Sequence, residues 1–480
     1  MDERALRNFL EIPYDELEDR NLAIKEQRIA RMNPQEIADR HIRELNDEKR
    51  LKAITVCFTD LEGRLHMLDY DKKFLLKSQD NLTFDGSSIR GFSHQHESDL
   101  RLVIDWSAMY WLPADVFGSG KVLVFALVKN RDGTSYAADF RSRLKDLADQ
   151  MYAHDKTVCH VANEIEGFLF QGRDAERHYH EAGKFDFIST GGYYHSLPTD
   201  PLRQFIDRAA EAQRAMGFVN EKDHPEVAPS QFEMNYSFTD VLLGADQVQL
   251  YKLICRQVAQ NLGATASFLP KPVTGVNGSG MHTNMSLNRA GKNLFFEKDG
   301  QDGLSQMGWD FVDRILTNAD SLCLALNSSV NSYRRLDPAF EAPNQIKVSA
   351  INRGAMVRIP VGNERSTRIE VRSIAPDANP YLALFVLLKT GLDGPASEAK
   401  EKEGKRERTR FLPDNIHDAV RLFKSSPFMA QLLGEDQQAR YAELKQASAD
   451  RCAKQLGSRI KIPEVQFHHE VTNQHLWSMF

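Results

Sequence analysis

The sequence predicts a two-domain protein in which helices and strands are mixed, and three observations support this. The chain has 480 residues, more than a single hydrophobic core usually fills. From Ala53 onward apolar and polar residues alternate as in strands, and after Asp139 helical and strand patterns are interleaved. We therefore expect an N-terminal helical extension over residues 1–50, a small strand-rich domain over 51–138 and a larger domain over 139–480.

Composition excludes several classes of protein. Apolar residues make up 41% and charged residues 27% of the chain, which is typical of a folded protein and not of a disordered one. With 61 Lys and Arg against 67 Asp and Glu the net charge is -6, so a nucleic-acid partner is not expected. The sequence lacks both an apolar run of about 18 residues and a signal-like N-terminus. Its five cysteines are scattered, and we expect reduced thiols, a cytoplasmic location and no membrane partner.

The elements follow in chain order. Asn33, Pro34 and Glu36 have the pattern of a helix start within the extension. In the small domain, apolar residues at every second position predict a first strand from residue 54, with further strands at 101–105 and 121–128. The larger domain begins with a predicted helix over 140–153 and a strand over 157–170. A mixed-charge, apolar-poor stretch at 396–410 predicts a solvated loop, and helical patterns resume at 415–456.

The candidate functional residues are polar side chains that share one face of several separate predicted strands. Glu164 and Glu166 are two residues apart, hence on the same side of an extended chain. The segments around residues 226–235, 277–286 and 368–372 repeat this arrangement of polar residues on one face and apolar residues on the other. Any one such segment is compatible with a surface strand, but four are difficult to explain as solvated surface.

Several acids and one histidine in these strands predict two sites for hard cations. They are Glu164, Glu166, Glu226, Glu233, Glu370 and His282. Oxygen-rich ligation favours Mg²⁺ or Mn²⁺ over zinc, and magnesium often completes its shell with water and substrate phosphates. A nucleotide is therefore expected, and arginines that bind phosphate or carboxylate oxygens in pairs fit this: Arg335, Arg353, Arg358, Arg368 and Arg372. Neither a P-loop nor a Rossmann motif is present, so metals and arginines would hold the nucleotide.

The chain resembles the type I glutamine synthetase family over residues 51–480. The segments that carry the resemblance are 84–92, 163–168, 226–233, 271–282, 331–336, 340–343, 352–353, 358–360, 368–372, 379–383 and 391–394. It implies an α+β fold, with a small β-grasp-like domain over 51–138 and a catalytic domain over 139–480 built on a curved, mainly antiparallel sheet flanked by helices. It also implies a homo-oligomer of stacked rings, a homododecamer, with active sites between subunits.

The resemblance further implies ATP-dependent formation of L-glutamine from L-glutamate and ammonia through γ-glutamyl phosphate. Glu166, Glu226 and Glu233 would hold the metal ion near glutamate, and Glu164, His282 and Glu370 the one on the ATP phosphates.

Other residues take roles from the same resemblance. Asp85 would attract and deprotonate ammonium, Glu341 would close over the intermediate, and Arg353 would contact the transition state. The expected substrate-binding residues are Ser88, Tyr193, Asn277, Gly278, Arg335 and Arg372. The expected nucleotide-binding residues are Glu221, Ser286, Arg358 and Arg368. Two alternatives stay open: a γ-glutamyl ligase that uses an organic amine or polyamine, and a catalytically silent relative with a structural or regulatory role.

Overall fold

Two β-sheets and fifteen helices make up the part of the chain that the computed structural model describes, which is residues 10–182, 184–195, 199–397 and 408–454. The strands are β1 (Ala53–Thr59), β2 (Leu65–Asp71), β3 (Leu82–Asp85), β4 (Asp99–Trp111), β5 (Lys121–Lys129), β6 (Thr157–Gln171), β7 (Asn220–Pro225), β8 (Gln231–Tyr236), β9 (Thr239–Asp240), β10 (Ala264–Ser267), β11 (Met281–Arg289), β12 (Lys292–Asn293), β13 (Gln345–Ser349), β14 (Ala355–Arg358) and β15 (Ile369–Val371).

The helices begin in the extension and are most frequent in the C-terminal half. They are α1 (Tyr14–Ile29), α2 (Pro34–Asp47), α3 (Lys72–Ser78), α4 (Ala114–Phe117), α5 (Phe140–Asp155), α6 (Ala175–Ala182), α7 (Pro201–Ala215), α8 (Val241–Asn261), α9 (Gln306–Thr317), α10 (Ala319–Leu326), α11 (Val330–Arg335), α12 (Pro380–Asp393), α13 (Ile416–Lys424), α14 (Pro427–Leu433) and α15 (Glu435–Lys454).

The smaller sheet has the strand order β2-β1-β5-β4-β3. The β1–β5 pair is parallel and the other pairs are antiparallel. β3 is an edge strand, and Asp85 is its last residue. Asp85 therefore lies at the edge of its own sheet and not in the middle of it.

The larger sheet is curved and mainly antiparallel, in the order β13-β14-β15-β11-β6-β8-β7. β6 is its longest strand, with fifteen residues, and it pairs with β11, β9, β8 and β10 along its length. Apolar helices such as α8 and α12 are buried nearly throughout and form the main core. The predicted α+β class is confirmed by these two sheets and the helices around them.

Local sequence signals explain where the main helices begin. The Asn33 side chain accepts a hydrogen bond from the Gln35 N–H (2.9 Å) and Pro34 opens α2, as the sequence predicts. Asp139 caps α5 and also accepts a bond from the Val128 N–H of β5. One carboxylate thus links the smaller sheet to the first helix of the larger domain.

The N-terminal extension packs between the smaller sheet and helices of the larger domain. Asn21 of α1, which is 2% exposed, donates to the carbonyls of Trp111 (2.9 Å) and Ala215 (2.8 Å) and accepts from the Trp111 N–H (2.8 Å). Further along α1, Arg28 forms an ion pair with buried Asp246 (2.9 Å). The extension is therefore an integral part of the folded chain.

A buried ionic network extends from that ion pair. Arg141 of α5 contacts Asp246 of α8 (2.8 Å) and Asp105 of β4 (2.8 Å), and Tyr381 of α12 donates to Asp246 (2.7 Å). Two arginines and two aspartates thus balance one another's charge away from water. The network joins the extension, the smaller sheet and the core helices.

The sequence-predicted strands are present and longer than predicted. The segments at 101–105 and 121–128 belong to β4 and β5, and those at 140–153 and 157–170 to α5 and β6. Residues 398–407 of the predicted loop lie outside the described residues, and the rest of that stretch forms neither helix nor strand. In the described part of the chain, no helix combines the length and the apolar character needed to cross a bilayer.

Candidate active site

A first group of metal-ligand candidates lies where three neighbouring strands of the larger sheet meet. His282 of β11 is directly opposite Glu164 of β6, and Glu370 of β15 is opposite Asn284 of β11. The Nδ1 atom of His282 is 3.6 Å from a Glu164 carboxylate oxygen and 3.9 Å from a Glu370 oxygen. One ligand atom from each of the three residues lies within 4.8 Å of the other two, close enough to share one cation.

Arginines and an asparagine surround this first group. Glu370 forms ion pairs with Arg358 (2.8 Å) and Arg372 (2.5 Å), one on each carboxylate oxygen. Asn284 donates to Glu164 (2.9 Å) and accepts from Arg368 (2.8 Å). The asparagine therefore connects an arginine to a ligand candidate without itself being charged.

A second group of ligand candidates lies on β7, β8 and the turn between them. It contains His224, Glu226 and Glu233, whose ligand atoms also lie within 4.8 Å of one another. The Nδ1 atom of His224 is 3.8 Å from Glu226, while its buried Nε2 has no hydrogen-bond partner among the residues that the structure describes. His224 was not predicted as a ligand from the sequence. It is directly opposite Glu233 in the sheet, and this pairing between strands cannot be derived from the pattern of a single strand.

Glu166 lies between the two groups. It is directly opposite Glu233 across β6 and β8, and its other neighbour is His282, whose Nε2 is 4.0 Å away. Its carboxylate accepts hydrogen bonds from the Gly280 N–H (2.8 Å) and the Gln231 side chain (3.3 Å). The five predicted acids and His282 are thus brought to one region of the larger sheet.

The two groups differ in their charge balance. Glu370 has two arginine partners, whereas no arginine or lysine of the described residues forms an ion pair with Glu166, Glu226 or Glu233. Burial, together with the negative charge of Glu166, raises the pKa of Glu226 to about 8 and that of Glu233 well above its usual value. A bound cation would remove this repulsion, because it would supply the missing positive charge.

Glu164 has the opposite tendency. Burial disfavours its charge, but the hydrogen bond and charge of His282 and the Asn284 amide outweigh burial and lower its pKa to about 2. Carboxylate oxygens with one or two imidazoles are a donor set that suits Mg²⁺ or Mn²⁺. The residues present therefore fit two hard divalent cations.

Arg335 is packed deep in this region. It is 3% exposed, donates to the Ile374 and Arg372 carbonyls and has Nη2 3.4 Å from the Nε2 atom of His282. Burial lowers its pKa to about 10. Gly280 makes this packing fit, because a Cβ at that position would lie 2.5 Å from Arg335 and 2.7 Å from His282. The glycine thus makes room for neighbouring side chains of its own chain.

Arg353, which was predicted to contact the transition state, is exposed. Its backbone carbonyl accepts a hydrogen bond from Arg372 (2.7 Å). Tyr193 is also exposed; it donates to the Tyr194 hydroxyl (2.8 Å), and both rings pack edge-on against His224. Slight burial and the Tyr194 hydroxyl raise the pKa of Tyr193. These residues lie at the rim of the second group.

Asn277, Gly278 and Glu341 meet beside the same groups. The Asn277 side chain donates to Glu341 (3.2 Å), which has a left-handed backbone with φ of 63°. The Gly278 carbonyl accepts from Gln231 (3.0 Å), and a Cβ on Gly278 would lie 2.4 Å from the Pro270 carbonyl oxygen. The structure thus brings the predicted flap glutamate to the predicted substrate loop.

A cavity of about 940 Å³ lies further along β6. His160, one of its lining residues, is on the same strand face as Glu164 and about 13 Å from it, at roughly 3.3 Å per residue. Ser286 is directly opposite His160. Glu221 accepts a hydrogen bond from the hydroxyl of Ser237, which precedes the lining residue Phe238. Residues of α2 and of the segment before it form one wall of this cavity.

Asp85 and Ser88 lie elsewhere, on the smaller sheet. The Asp85 carboxylate accepts hydrogen bonds from the Ser87 N–H (2.9 Å), the Ser87 hydroxyl (2.6 Å) and the Ser88 hydroxyl (2.7 Å). These bonds, first that of Ser87 and then that of Ser88, lower the pKa of this exposed group. In the described part of the chain its hydrogen bonds stay within its own loop.

Comparison with protein families gives two matches along the chain. A model described as "Glutamine synthetase, beta-Grasp domain" matches residues 50–130, and one described as "Glutamine synthetase, catalytic domain" matches residues 137–460. Together they cover most of the chain. The chain belongs to the glutamine synthetase family.

Individual relatives within the glutamine synthetase family agree with this. A glutamine synthetase of Clostridium saccharobutylicum is 36% identical over 425 residues, with 84% of this chain and 93% of the relative covered. One of Staphylococcus aureus strain MRSA252 is 34% identical over 413 residues, covering 82% and 90%. A solved structure named "GmaS/ADP complex-Conformation 1" is 27% identical with a TM-score of 0.74, covering 88% of this chain and 99% of its own.

Membership of the glutamine synthetase family carries general properties. Its members are ligases that use ATP and divalent metal ions, bind glutamate and typically form oligomers. The two groups of carboxylate and histidine ligand candidates fit such metal ions.

Proposed function

We propose that the protein is a glutamate–ammonia ligase, which forms L-glutamine from L-glutamate, ammonia and ATP. The observation that carries this proposal is the convergence of five glutamates and His282 on one region of the larger sheet, in two groups whose ligand atoms are close enough to bind cations. No arginine or lysine of the described residues balances the negative charge of the second group. This uncompensated charge favours the binding of a cation there.

The reaction we propose has two steps. A γ-carboxylate oxygen of glutamate attacks the γ-phosphorus of ATP, which releases ADP and leaves γ-glutamyl phosphate; ammonia then attacks the γ-carbon and phosphate leaves. Phosphorylation is needed because a free carboxylate has no adequate leaving group. Glu164, His282 and Glu370 would hold one Mg²⁺ or Mn²⁺, and Glu166, Glu226 and Glu233 another, with His224 beside it. The cations would supply charge that offsets the repulsion between the two anionic substrates.

The remaining residues divide between the two substrates. Arg335, Arg372, Asn277 and Gly278 would bind glutamate, and Arg353 would contact the transferring phosphoryl group. Tyr193 would help to form the ammonium pocket. Arg358, Arg368, Ser286 and Glu221 would line the nucleotide site. The cavity beside His160 and Phe238 lies at the distance from Glu164 at which the nucleoside end of ATP would extend.

Ammonium binding would require a second subunit. Asp85 ends the edge strand of the smaller sheet and its lowered pKa keeps it negatively charged, so it could attract ammonium at the site of a neighbour together with Ser88. A homododecamer of stacked rings is the assembly we expect from the family. The buried, unpaired thiols of Cys57, Cys159, Cys255 and Cys323 suit a reducing cytoplasm.

The second candidate is a γ-glutamyl ligase that uses an organic amine or polyamine. One observation favours it: a solved structure that matches 88% of this chain is named GmaS and not glutamine synthetase, although the curated relatives bear the latter name. Both candidates share the acyl-phosphate step and differ only in the nucleophile.

The two candidate functions can be distinguished by measuring phosphate release from ATP with different nitrogen nucleophiles. The purified protein is given glutamate with ammonium or with a panel of methylamine, ethanolamine and polyamines, and amide formation is measured in parallel. We expect ammonium to support the highest kcat/KM. A preference for an amine would establish the second candidate, and no turnover with any acceptor would leave a catalytically silent relative.

A further inference from the structure

Lys271 is a buried lysine that the proposed reaction does not use. It is 7% exposed and lies in the segment 271–280, here called the glycine loop, which also contains Asn277. Its backbone is fixed by Asn331 of α11, which accepts from the Lys271 N–H (2.6 Å) and donates to the Lys271 carbonyl (2.9 Å). The start of the glycine loop is therefore rigid.

The ammonium group of Lys271 spans two elements. Its Nζ donates to the Val276 carbonyl of the same loop and lies 3.8 Å from the centre of the Phe340 ring. Burial lowers its pKa to about 8, and only the charge of Asp337 opposes this, so the group is still mostly protonated at neutral pH. A cation at this distance over an aromatic face is attracted to it.

Phe340 belongs to the segment 337–343, here called the flap. Asp337 caps its single turn by accepting from the Ala339 N–H (2.9 Å). Phe340 is half-buried and Glu341, the next residue, is exposed, with its carboxylate held by Asn277 (3.2 Å). Two adjacent flap residues therefore contact two residues of one rigid loop.

We infer that Lys271 is a positioning residue that latches the flap closed through the Phe340 ring, so that Glu341 stays beside Asn277. The contacts of the latch are independent of the proposed function. Only the consequence of the latch, protection of γ-glutamyl phosphate from water, rests on that function. Asn277 holds the Glu341 carboxylate by a single hydrogen bond, and the contact of Lys271 with the Phe340 ring is a second anchor for the flap. A contact of this type shifts the ratio of closed to open flap by about twofold to thirtyfold.

The consequence concerns the lifetime of γ-glutamyl phosphate. If water reaches the intermediate, its oxygen bonds to the γ-carbon, phosphate leaves and glutamate is regenerated, so ATP is spent without amide. A closed flap excludes this water. Loss of the latch should therefore uncouple phosphate release from amide formation.

The test uses the full-length protein with paired substitutions. In Lys271→Met and Phe340→Leu, we expect the phosphate-to-amide ratio to rise at least twofold over wild type. In Lys271→Arg and Phe340→Tyr, which keep a cation over an aromatic ring, it should return towards the wild-type value. The double variant Lys271→Met with Phe340→Leu should be no more uncoupled than either single variant. A lower rate in the single variants with an unchanged ratio would overturn the latch.

Limited proteolysis tests the latch without using activity. Chymotrypsin cleavage after Phe340 should be at least twofold faster in folded Lys271→Met than in wild type, and unchanged in Lys271→Arg. Equal cleavage rates in all three proteins would overturn the inference. A wild-type protein that forms no amide, together with faster cleavage in Lys271→Met, would refute the proposed function and leave the latch standing.

Discussion

Glu226→Gln should make the metal-free protein more stable and should reduce the stabilisation of the protein by divalent cations. Glu226 is partly buried beside Glu166 and Glu233, and its pKa is raised from 4.5 to about 8. At about pH 7 the carboxyl must therefore take up a proton on folding, and the gap of about 2.5 pH units from its unfolded value corresponds to about 3 kcal/mol. Glutamine has a similar shape and no charge, so the substitution removes this cost.

The expected shift in melting temperature follows from chain length. At about 2.1 cal/mol/K per residue, the 480 residues have an unfolding entropy of about 1 kcal/mol/K. A gain of about 3 kcal/mol therefore raises the Tm of the protein in EDTA by about 3 °C. Saturating Mn²⁺ should raise the Tm of the wild type more than that of Glu226→Gln, because the substitution weakens the second group of ligand candidates and leaves the first group intact.

The control for this substitution is Glu221→Gln. Glu221 lies on β7, close in sequence to Glu226, but it is exposed and bonded to Ser237, so its substitution should change neither the Tm in EDTA nor the response to Mn²⁺. The reasoning is refuted if Glu226→Gln melts at or below the wild type in EDTA, or if Mn²⁺ stabilises both proteins equally.

The pH dependence has a definite sign. A raised carboxyl pKa means that the folded protein binds more protons than the unfolded chain between about pH 4.5 and 8. Stability of the metal-free wild type due to Glu226 is therefore present below this window and lost as the pH rises through it. Differential scanning calorimetry in EDTA should show this loss in the wild type and a smaller one in Glu226→Gln; identical pH profiles would contradict the assignment.

Three further predictions concern separate parts of the molecule. Asn21→Ala leaves the Trp111 N–H and the carbonyls of Trp111 and Ala215 without partners, so denaturant unfolding should show a loss of about 3 kcal/mol or more; a loss below about 1 kcal/mol would mean that the extension is only loosely attached. Asp85→Ala should leave ATP binding, followed by calorimetry, intact but sharply reduce ammonium-dependent turnover, and unchanged turnover would refute its role. Glu370→Ala leaves Arg358 and Arg372 without their shared partner and should weaken Mg²⁺ and ATP binding together, so a normal ATP affinity would exclude it as a ligand.

Strand periodicity explains how much of the site could be predicted from the sequence. Side chains at every second position share a face, so Glu164 with Glu166, and His282 with Asn284, could be oriented without a structure. Helix starts at Asn33 and Asp139 also follow from local capping chemistry. These signals depend only on neighbours in the chain.

Features that depend on cross-strand register could not be predicted in this way. His224 becomes a ligand candidate because it is paired with Glu233. Arg358 of β14 forms an ion pair with Glu370 because the two residues are opposite each other in the folded sheet. Gly280 leaves space for Arg335 and His282, and these two side chains come from different parts of the chain. Each of these facts is a tertiary contact that spacing along the chain does not encode.

The transfer of oxygen from glutamate to phosphate tests the central claim most directly. Glutamate labelled with ¹⁸O in its γ-carboxylate is incubated with ATP, Mg²⁺ and ammonium, and the released phosphate is analysed by mass spectrometry. If the γ-carboxylate attacks ATP and ammonia then displaces phosphate, each phosphate released carries one labelled oxygen for each glutamine formed. Unlabelled phosphate accompanying glutamine formation would contradict the account.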